Sequence, residues 1–391
     1  MSSTSNDAAP ELSTDATSAA PKSAEGSGPS PQIVWIDRNA AIHLLVLTIA
    51  IAAAVFTGRW WLALAIPLVF FAITEVLYFA SGLQIYSHSN RVRRAYEWFD
   101  IYLDGAYGKG RDLTEAYFDG DRSKPYAQAL VDKFDKFIEL LGLQPGHRLL
   151  DVGCGYGDFI AHARSRGILA SGITLSGHHA KVCRERGLDV QQADAKQMPE
   201  TLYGQFDAVT FMGCLEHFGS YVTHSDRTIH DAVLTRTFES AHRLLDPDSP
   251  VKRVLTSTLH EIKQHPRGLD WLHGYLIERH YSGLYPLGDE GLVKNSRGCF
   301  DELYRRDATD DYRLASELDP VHFGNFSIRW TLKRLLYIPL LALLDPFFLH
   351  KWLYHGLGSW MWQFGGIGGL PPGERPVTLW WFLLQAKPHD R

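Results

Sequence analysis

Cysteine is scarce in this chain: four in 391 residues, at positions 154, 183, 214 and 299. No two have CxxC spacing, which argues against a zinc ribbon or a disulfide framework and suits a reducing compartment. Neither sign of charge dominates. Lys plus Arg number 39 against 44 Asp plus Glu, a net charge of −5 that rules out a strongly basic nucleic-acid binder on global charge. The N-terminus lacks a basic start followed by an apolar stretch, so no secretory signal is expected. Large apolar side chains are almost absent from residues 1–31, where Ser, Thr, Ala, Pro and Gly prevail. Such a stretch cannot offset the entropy of ordering, and a disordered tail is expected over 1–35. Internal repeats and clusters with metal-ligand spacing are also missing, so no metal site is expected.

Apolar and aromatic residues are plentiful: 45% hydrophobic, 12% aromatic, eleven Trp. Most of the chain can therefore bury a core, and its length allows two or three units. Residues 40–57 carry no formal charge, and after Gly58-Arg59 the run from Trp60 to Ala80 has Glu75 as its one acid. As helices the two runs are about 27 and 31 Å long, close to the ~30 Å hydrocarbon core. Their short connection predicts a transmembrane helical hairpin over 38–82, with Trp60 and Trp61 at an interface and Glu75 near a helix end. Arg91, Arg93 and Arg94 follow, placing the tail and the downstream domain on the cytoplasmic side of a two-span, multi-pass protein. A later apolar stretch, 328–362, is broken by Pro339 and Pro346 and flanked by Arg329, Lys333, Arg334 and Lys351. It reads as a membrane-surface or lid insertion, with a core helix as the alternative.

Between these lies an α/β pattern. Val131, Phe134, Ile138 and Leu141 recur at helical spacing, Pro145-Gly146 breaks the chain, and Arg148 to Val152 reads as a buried strand. A helix from about Phe159, strands 168–175 and 206–212, a helix 231–245, a strand 253–258 and a closing strand 378–386 follow. This alternation predicts a doubly wound parallel sheet over 146–391, preceded by a helical cap over 85–145.

The sharpest motif runs from Leu149 to Phe159: a buried strand, a turn with Gly153, Gly155 and Gly157, and a helix start, with Asp151 just before the glycines. Position 158 is Asp, so this is not the dinucleotide GxGxxG pattern. It resembles motif I of the S-adenosylmethionine-dependent methyltransferases. The resemblance implies a seven-stranded Rossmann-like domain with S-adenosyl-L-methionine as methyl donor, the loop passing under its methionine part and Asp151 orienting the amino group. It implies further contacts from Thr114, from Thr174, Leu175 and Ser176 at the end of strand two, where hydroxyls stand in for the usual acidic residue, and from Asp194 and Ala195 at the adenine. A helix N-cap is the alternative for Asp194.

The Thr174-Leu175-Ser176 ending resembles the cyclopropane-fatty-acyl-phospholipid synthase family, which includes mycolic acid methyltransferases and sphingolipid C9-methyltransferases. So do Phe211 to Gly219 with its Glu216-His217 pair, Leu259-His260-Glu261-Ile262, and Asp310-Asp311-Tyr312. The likeness covers roughly residues 95–390 and implies Glu216, His260 and Tyr312 as catalytic residues. Core packing is the alternative for His260 and Tyr312, and a helix-terminal carboxylate for Glu216. Leu113 to Phe118 departs from the family: Glu115 stands where the family has a Cys that helps hold bicarbonate. A carboxylate there would repel bicarbonate unless protonated, which argues against bicarbonate as a cofactor and makes Glu115 a candidate base; the alternative is an exposed surface Glu. The chemistry suits these residue types. An alkene that takes a methyl becomes a carbocation, which needs a nearby anion and a base. Proton loss then gives a cyclopropane or a methyl-branched alkene.

The expectation is a membrane-bound lipid C-methyltransferase acting on an acyl or sphingoid chain, its partners a lipid substrate and the bilayer. O-methylation of a hydrophobic quinone or polyprenyl acceptor, with His217 or His260 as base, is one alternative. A non-catalytic cofactor-binding scaffold is another.

Overall fold

Seven strands form one mixed sheet in the order β3-β2-β1-β4-β5-β7-β6 in a computed structural model of the chain. The structure describes residues 38–81, 89, 92–93, 96, 114–220, 227–262, 283–318, 375 and 377–388. The expected tail and the 328–362 insertion lie outside these residues, as do Arg91 and Arg94. The strands are β1 (Arg148–Val152), β2 (Leu169–Thr174), β3 (Val190–Gln192), β4 (Ala208–Met212), β5 (Arg253–Glu261), β6 (Phe300–Asp307) and β7 (Val377–Ala386). Helices flanking them are α3 (Tyr126–Leu141), α4 (Asp158–Ser165), α5 (Gly177–Glu185), α6 (Arg227–Leu244), the short α7 (Val293–Ser296) and α8 (Thr309–Leu318). The expected parallel sheet is corrected in one respect. β1 to β5 are parallel, but β7 inserts antiparallel between β5 and β6.

Both faces of the sheet are covered, which is why all five residues of β4 are buried rather than every second one. On one face Phe134 and Phe137 of α3 and Phe159 of α4 pack with Trp381 of β7, the Phe137 and Trp381 rings meeting edge to face at 4.8 Å. On the other, Phe211, Leu234, Phe238 and Phe382 form a second cluster. Parallel strands place their carboxyl ends at one edge, so the glycine turn after β1 and the segment after β4 open on the same side.

Upstream, α1 (Arg38–Thr57) and α2 (Leu62–Ser81) form the expected hairpin. Ala50 and Ala54, one turn apart, are fully buried. Leu45, Ile49, Val55, Leu64, Val69 and Ile73 are exposed, as are Trp60 and Trp61 at the turn, and Phe56 is 90% exposed. Thr48 and Thr57 return their hydroxyls to the helix carbonyls of Leu44 and Ala53. Among the described residues, however, no helix is long and apolar enough to cross a membrane, so the expected two spans are not borne out. The structure gives an exposed apolar hairpin.

One buried carboxylate ties the loop before α3 to α8. Asp311 accepts backbone N–H bonds from Phe118 at 2.9 Å and Asp119 at 3.1 Å, and a guanidinium bond from Arg306 at 2.8 Å. Removing it strands three donors, one of them charged. Asp311→Ala should cost about 3 kcal/mol in urea unfolding, the scale for breaking one side of a buried ion pair, whereas Asp310→Ala, on the same turn, should cost far less.

Candidate active site

The glycine turn has the backbone its sequence requires. Gly153 has φ +78°, and a Cβ there would lie 2.6 Å from Cys214 Cβ, so no side chain fits. Gly155 has φ +51° with nothing within 4 Å of where a Cβ would stand, leaving an open cradle at the carboxyl end of β1. Asp151 is buried beneath it and accepts a hydrogen bond from Thr210 of β4 at 2.8 Å. Gly157 starts α4 in a left-handed conformation. At the end of β2, Thr174 and Ser176 are buried. Ser176 caps α5, accepting from His179 N–H at 3.2 Å, while the Leu175 carbonyl accepts from Gln192. Asp194 takes the capping role weighed as its alternative: Oδ1 accepts from Lys196 N–H, and Oδ2 accepts from Ser89 at 2.6 Å. Ala195 opens the short turn that Asp194 caps. Thr114 accepts from the Lys133 ammonium, and its methyl approaches Gly213. An open glycine cradle above a buried acid fits a cofactor with a cationic amino acid portion.

Beside the cradle lie two buried carboxyls. Glu115 is not on the surface: it is 1% exposed, and its Oε1 accepts from Ser257 Oγ at 2.8 Å and from Trp381 Nε1 at 2.6 Å. Glu216 is 4% exposed at the turn after β4. Its Oε1 accepts the Leu259 backbone N–H at 2.7 Å, and its Oε2 has no hydrogen-bond partner among the described residues. Burial, opposed in part by that N–H bond and reinforced by the charge of Glu115, pushes the Glu216 carboxyl up to about 7. Tyr312 is half-buried on α8 and packs with Leu259, Tyr285 and Val377, on the side of β5 that faces Glu115.

His260 does not join them, which corrects its place in the expected set. Side chains alternate along a strand, so Ser257 and Leu259 share one face of β5 and His260 takes the other. There its ring lies 5.6 Å from that of Phe382, and its Nδ1 pairs at 2.6 Å with the Gly288 carbonyl, which can only accept. Burial holds its imidazole down at about 4, hence neutral. The strand residue that meets Glu115 is Ser257, and Trp381 is its second donor; the sequence reading singled out neither. Counting by twos along β5 would have separated Ser257 from His260. Trp381 gave no signal, because it lies in an unbroken apolar strand. His217, the alternative base, pairs its Nε2 with the Tyr96 hydroxyl at 2.6 Å.

Residues 84–271 match the model of the mycolic acid cyclopropane synthetase family. Cyclopropane mycolic acid synthase 1 of Mycobacterium tuberculosis is 30% identical over 178 residues, 44% of this chain and 56% of that protein. Over residues 84–271 the chain is similar to that family. Its members are S-adenosylmethionine-dependent methyltransferases. A probable fatty acid methyltransferase of the same organism is 34% identical over 143 residues, 34% of this chain and 31% of that one. The cyclopropane-fatty-acyl-phospholipid synthase of Escherichia coli is 37% identical over 105 residues, 26% of each. The aligned stretches thus span between a quarter and somewhat over half of these relatives. Among solved structures, the cyclopropane synthase MmaA2 from Mycobacterium tuberculosis superposes with a TM-score of 0.56 at 21% identity, over 78% of this chain and 100% of that one. The mycolic acid cyclopropane synthase CmaA1, solved with S-adenosylhomocysteine and CTAB, gives 0.55 at 21% identity over 78% and 99%. These two share the fold.

The raised Glu216 carboxyl makes a testable demand on stability. Between its unfolded value near 4.5 and its folded value of about 7, the folded chain holds a proton that the unfolded chain releases. The stabilisation from that proton is fully present below about 4.5 and is lost as pH rises toward 7. Glu216→Gln removes the titration. Urea unfolding should show the variant gaining on the wild type by about 3 kcal/mol between pH 5 and pH 8.

Proposed function

We propose that the chain transfers a methyl group from S-adenosyl-L-methionine to an alkene carbon of a lipid acyl or sphingoid chain. The observation that carries this is the buried carboxyl pair, Glu115 and Glu216, beside the glycine cradle. The cradle residues Asp151, Gly153, Gly155 and Gly157 would hold the cofactor, with Thr114, Thr174, Leu175, Ser176, Asp194 and Ala195 around it. The bound cofactor supplies an electrophilic methyl. A methylated alkene carries positive charge in an apolar pocket, where an anion is worth far more than in water. With Glu216 up at about 7, its carboxyl is about half protonated near neutrality, so the pair still carries negative charge there. Glu115, held by Ser257 and Trp381, is the anion and the base that takes the departing proton; Glu216 shares it, and Tyr312 lines the same side. Bicarbonate has no role in this reading, since Glu115 already supplies the carboxylate. The alternatives are less well supported. A hydroxyl acceptor has no use for an anionic pair, and a scaffold gains nothing from a buried acid that costs stability.

Isotope tracing tests the reaction. Membranes incubated with the chain and methyl-labelled S-adenosylmethionine should yield a lipid heavier by one labelled methylene unit. Glu115→Gln should lower turnover about 100-fold or more, the scale for losing a general base, while S-adenosylhomocysteine binds within threefold of wild type. Near-normal turnover by that variant would remove Glu115 from the mechanism.

For the hairpin, we propose membrane attachment, with the domain on the cytoplasmic side. Phe56, Trp60, Trp61 and the exposed aliphatic faces of α1 and α2 support it, since so large an apolar surface is stable in water only when covered. Phe56, Trp60 and Trp61 changed together to Ser should shift the chain from the floating to the soluble fraction in liposome flotation.

A further inference from the structure

Two thiols lie directly beneath the cradle. Cys154 belongs to the glycine turn itself, and Cys183 faces it from α5. Both point at one oxygen: Cys183 Sγ is 3.6 Å and Cys154 Sγ 4.0 Å from the Gly155 carbonyl. The same sulfurs back the neighbouring glycines. A Cβ on Gly157 would stand 3.1 Å from Cys183 Sγ, and one on Gly172 2.8 Å from Cys154 Sγ. Cys183 is fully buried, whereas Cys154 is partly exposed and gives a small oxidant a way in. Cys214 points elsewhere, to the Val152 carbonyl at 3.1 Å.

We propose that Cys154 and Cys183 form an oxidation site in which a hydroperoxide converts the thiol pair to a disulfide and so weakens cofactor binding. The proposal rests on the reading of the turn as the cofactor cradle. The partly exposed thiol sulfur, Cys154, attacks the peroxide O–O bond. It becomes a sulfenic acid, and its proton leaves with the departing oxygen as water or alcohol. Cys183 then attacks that sulfur and expels water, which carries away the second proton. The two thiols lose two electrons, and the peroxide gains them. Closing the pair to the ~2.05 Å of a disulfide pulls the turn toward α5. By linkage, a ligand in the cradle opposes the oxidation to the same degree.

Full-length protein treated with hydrogen peroxide, alkylated and digested should yield a Cys154–Cys183 linked peptide. Calorimetry with S-adenosylhomocysteine should then show at least a tenfold loss of affinity, restored by dithiothreitol, and saturation with S-adenosylhomocysteine beforehand should slow formation of the linked peptide. Cys183→Ala, or Cys183→Ser should the first not fold, should bind S-adenosylhomocysteine like untreated wild type and ignore peroxide. Absence of the linked peptide, pairing with Cys214 or Cys299 instead, or equal sensitivity of the Cys183 variants would overturn the proposal. Failure of the untreated protein to bind S-adenosylhomocysteine would overturn the cofactor reading, leaving the linked peptide to decide the chemistry of the pair.

Discussion

Two acids placed in each other's field in an apolar interior are an expensive arrangement. Glu216 is removed from water, receives one backbone N–H, and feels the charge of Glu115, so its carboxyl releases its proton only near neutrality. Much of the surrounding structure serves to hold this pair. Strand β5 supplies the Leu259 N–H to one acid and the Ser257 hydroxyl to the other; β7 supplies Trp381. The loop that carries Glu115 is fixed by Asp311 at the base of α8, one residue from Tyr312. Each support comes from a different part of the chain, so the pair exists only when the sheet is fully assembled. The antiparallel insertion of β7 has a functional consequence here, because it sets Trp381 opposite Ser257 in register and lets both donors reach one oxygen.

Electrostatics also separates the two halves of the site. The glycine cradle offers open space with a buried acid below it, and Asp151 accepts a hydrogen bond from Thr210. Next to it lie the buried carboxyl pair and the ring of Trp381. A cationic donor and a substrate that turns cationic are both stabilised by such surroundings, and an anionic acceptor is not. Neutral His260 on the far face of β5 adds nothing to this field; its bond to Gly288 ties β5 to the segment before α7.

Much of this was legible in the sequence, for physical reasons that differ from element to element. β1 and the glycine turn were readable because a buried strand and a run of positive-φ glycines leave few other interpretations. β6 was not foreseen: Phe300–Asp307 is an edge strand with exposed charges at Asp301 and Glu302, and it lacks the apolar run that marks its neighbours. The parallel sheet was read from alternation, which says nothing about the direction of a last strand. Glu115 was found by its residue type at an unusual place, but its burial depends on partners at 257 and 381 that are distant in sequence. His260 was misplaced because a short motif was matched without applying strand alternation, which sends every second side chain to the opposite face. Asp194 and Ser176 show a further limit. Residues that suit ligand hydroxyls and amino groups are the same residues that cap helices, and here both side chains cap.

The hairpin and the carboxyl pair bear on one physical problem. A long-chain lipid dissolves poorly in water, so an enzyme acting within its chain must meet it where it resides and shield the reacting carbon once there. On the proposed reading, exposed leucines, isoleucines and aromatics on α1 and α2 would address the first need, since tethering raises the effective concentration of a membrane-borne substrate without any new contact at the site. On the same reading the buried acids would address the second: they would stabilise a cation only where water is excluded, and the exclusion that makes Glu216 costly to the fold would make the Glu115 charge effective. A pocket open to solvent would relieve the first effect and forfeit the second. The destabilisation is thus inseparable from the chemistry, and the chain sustains it with a thick core on both faces of β4 and β5.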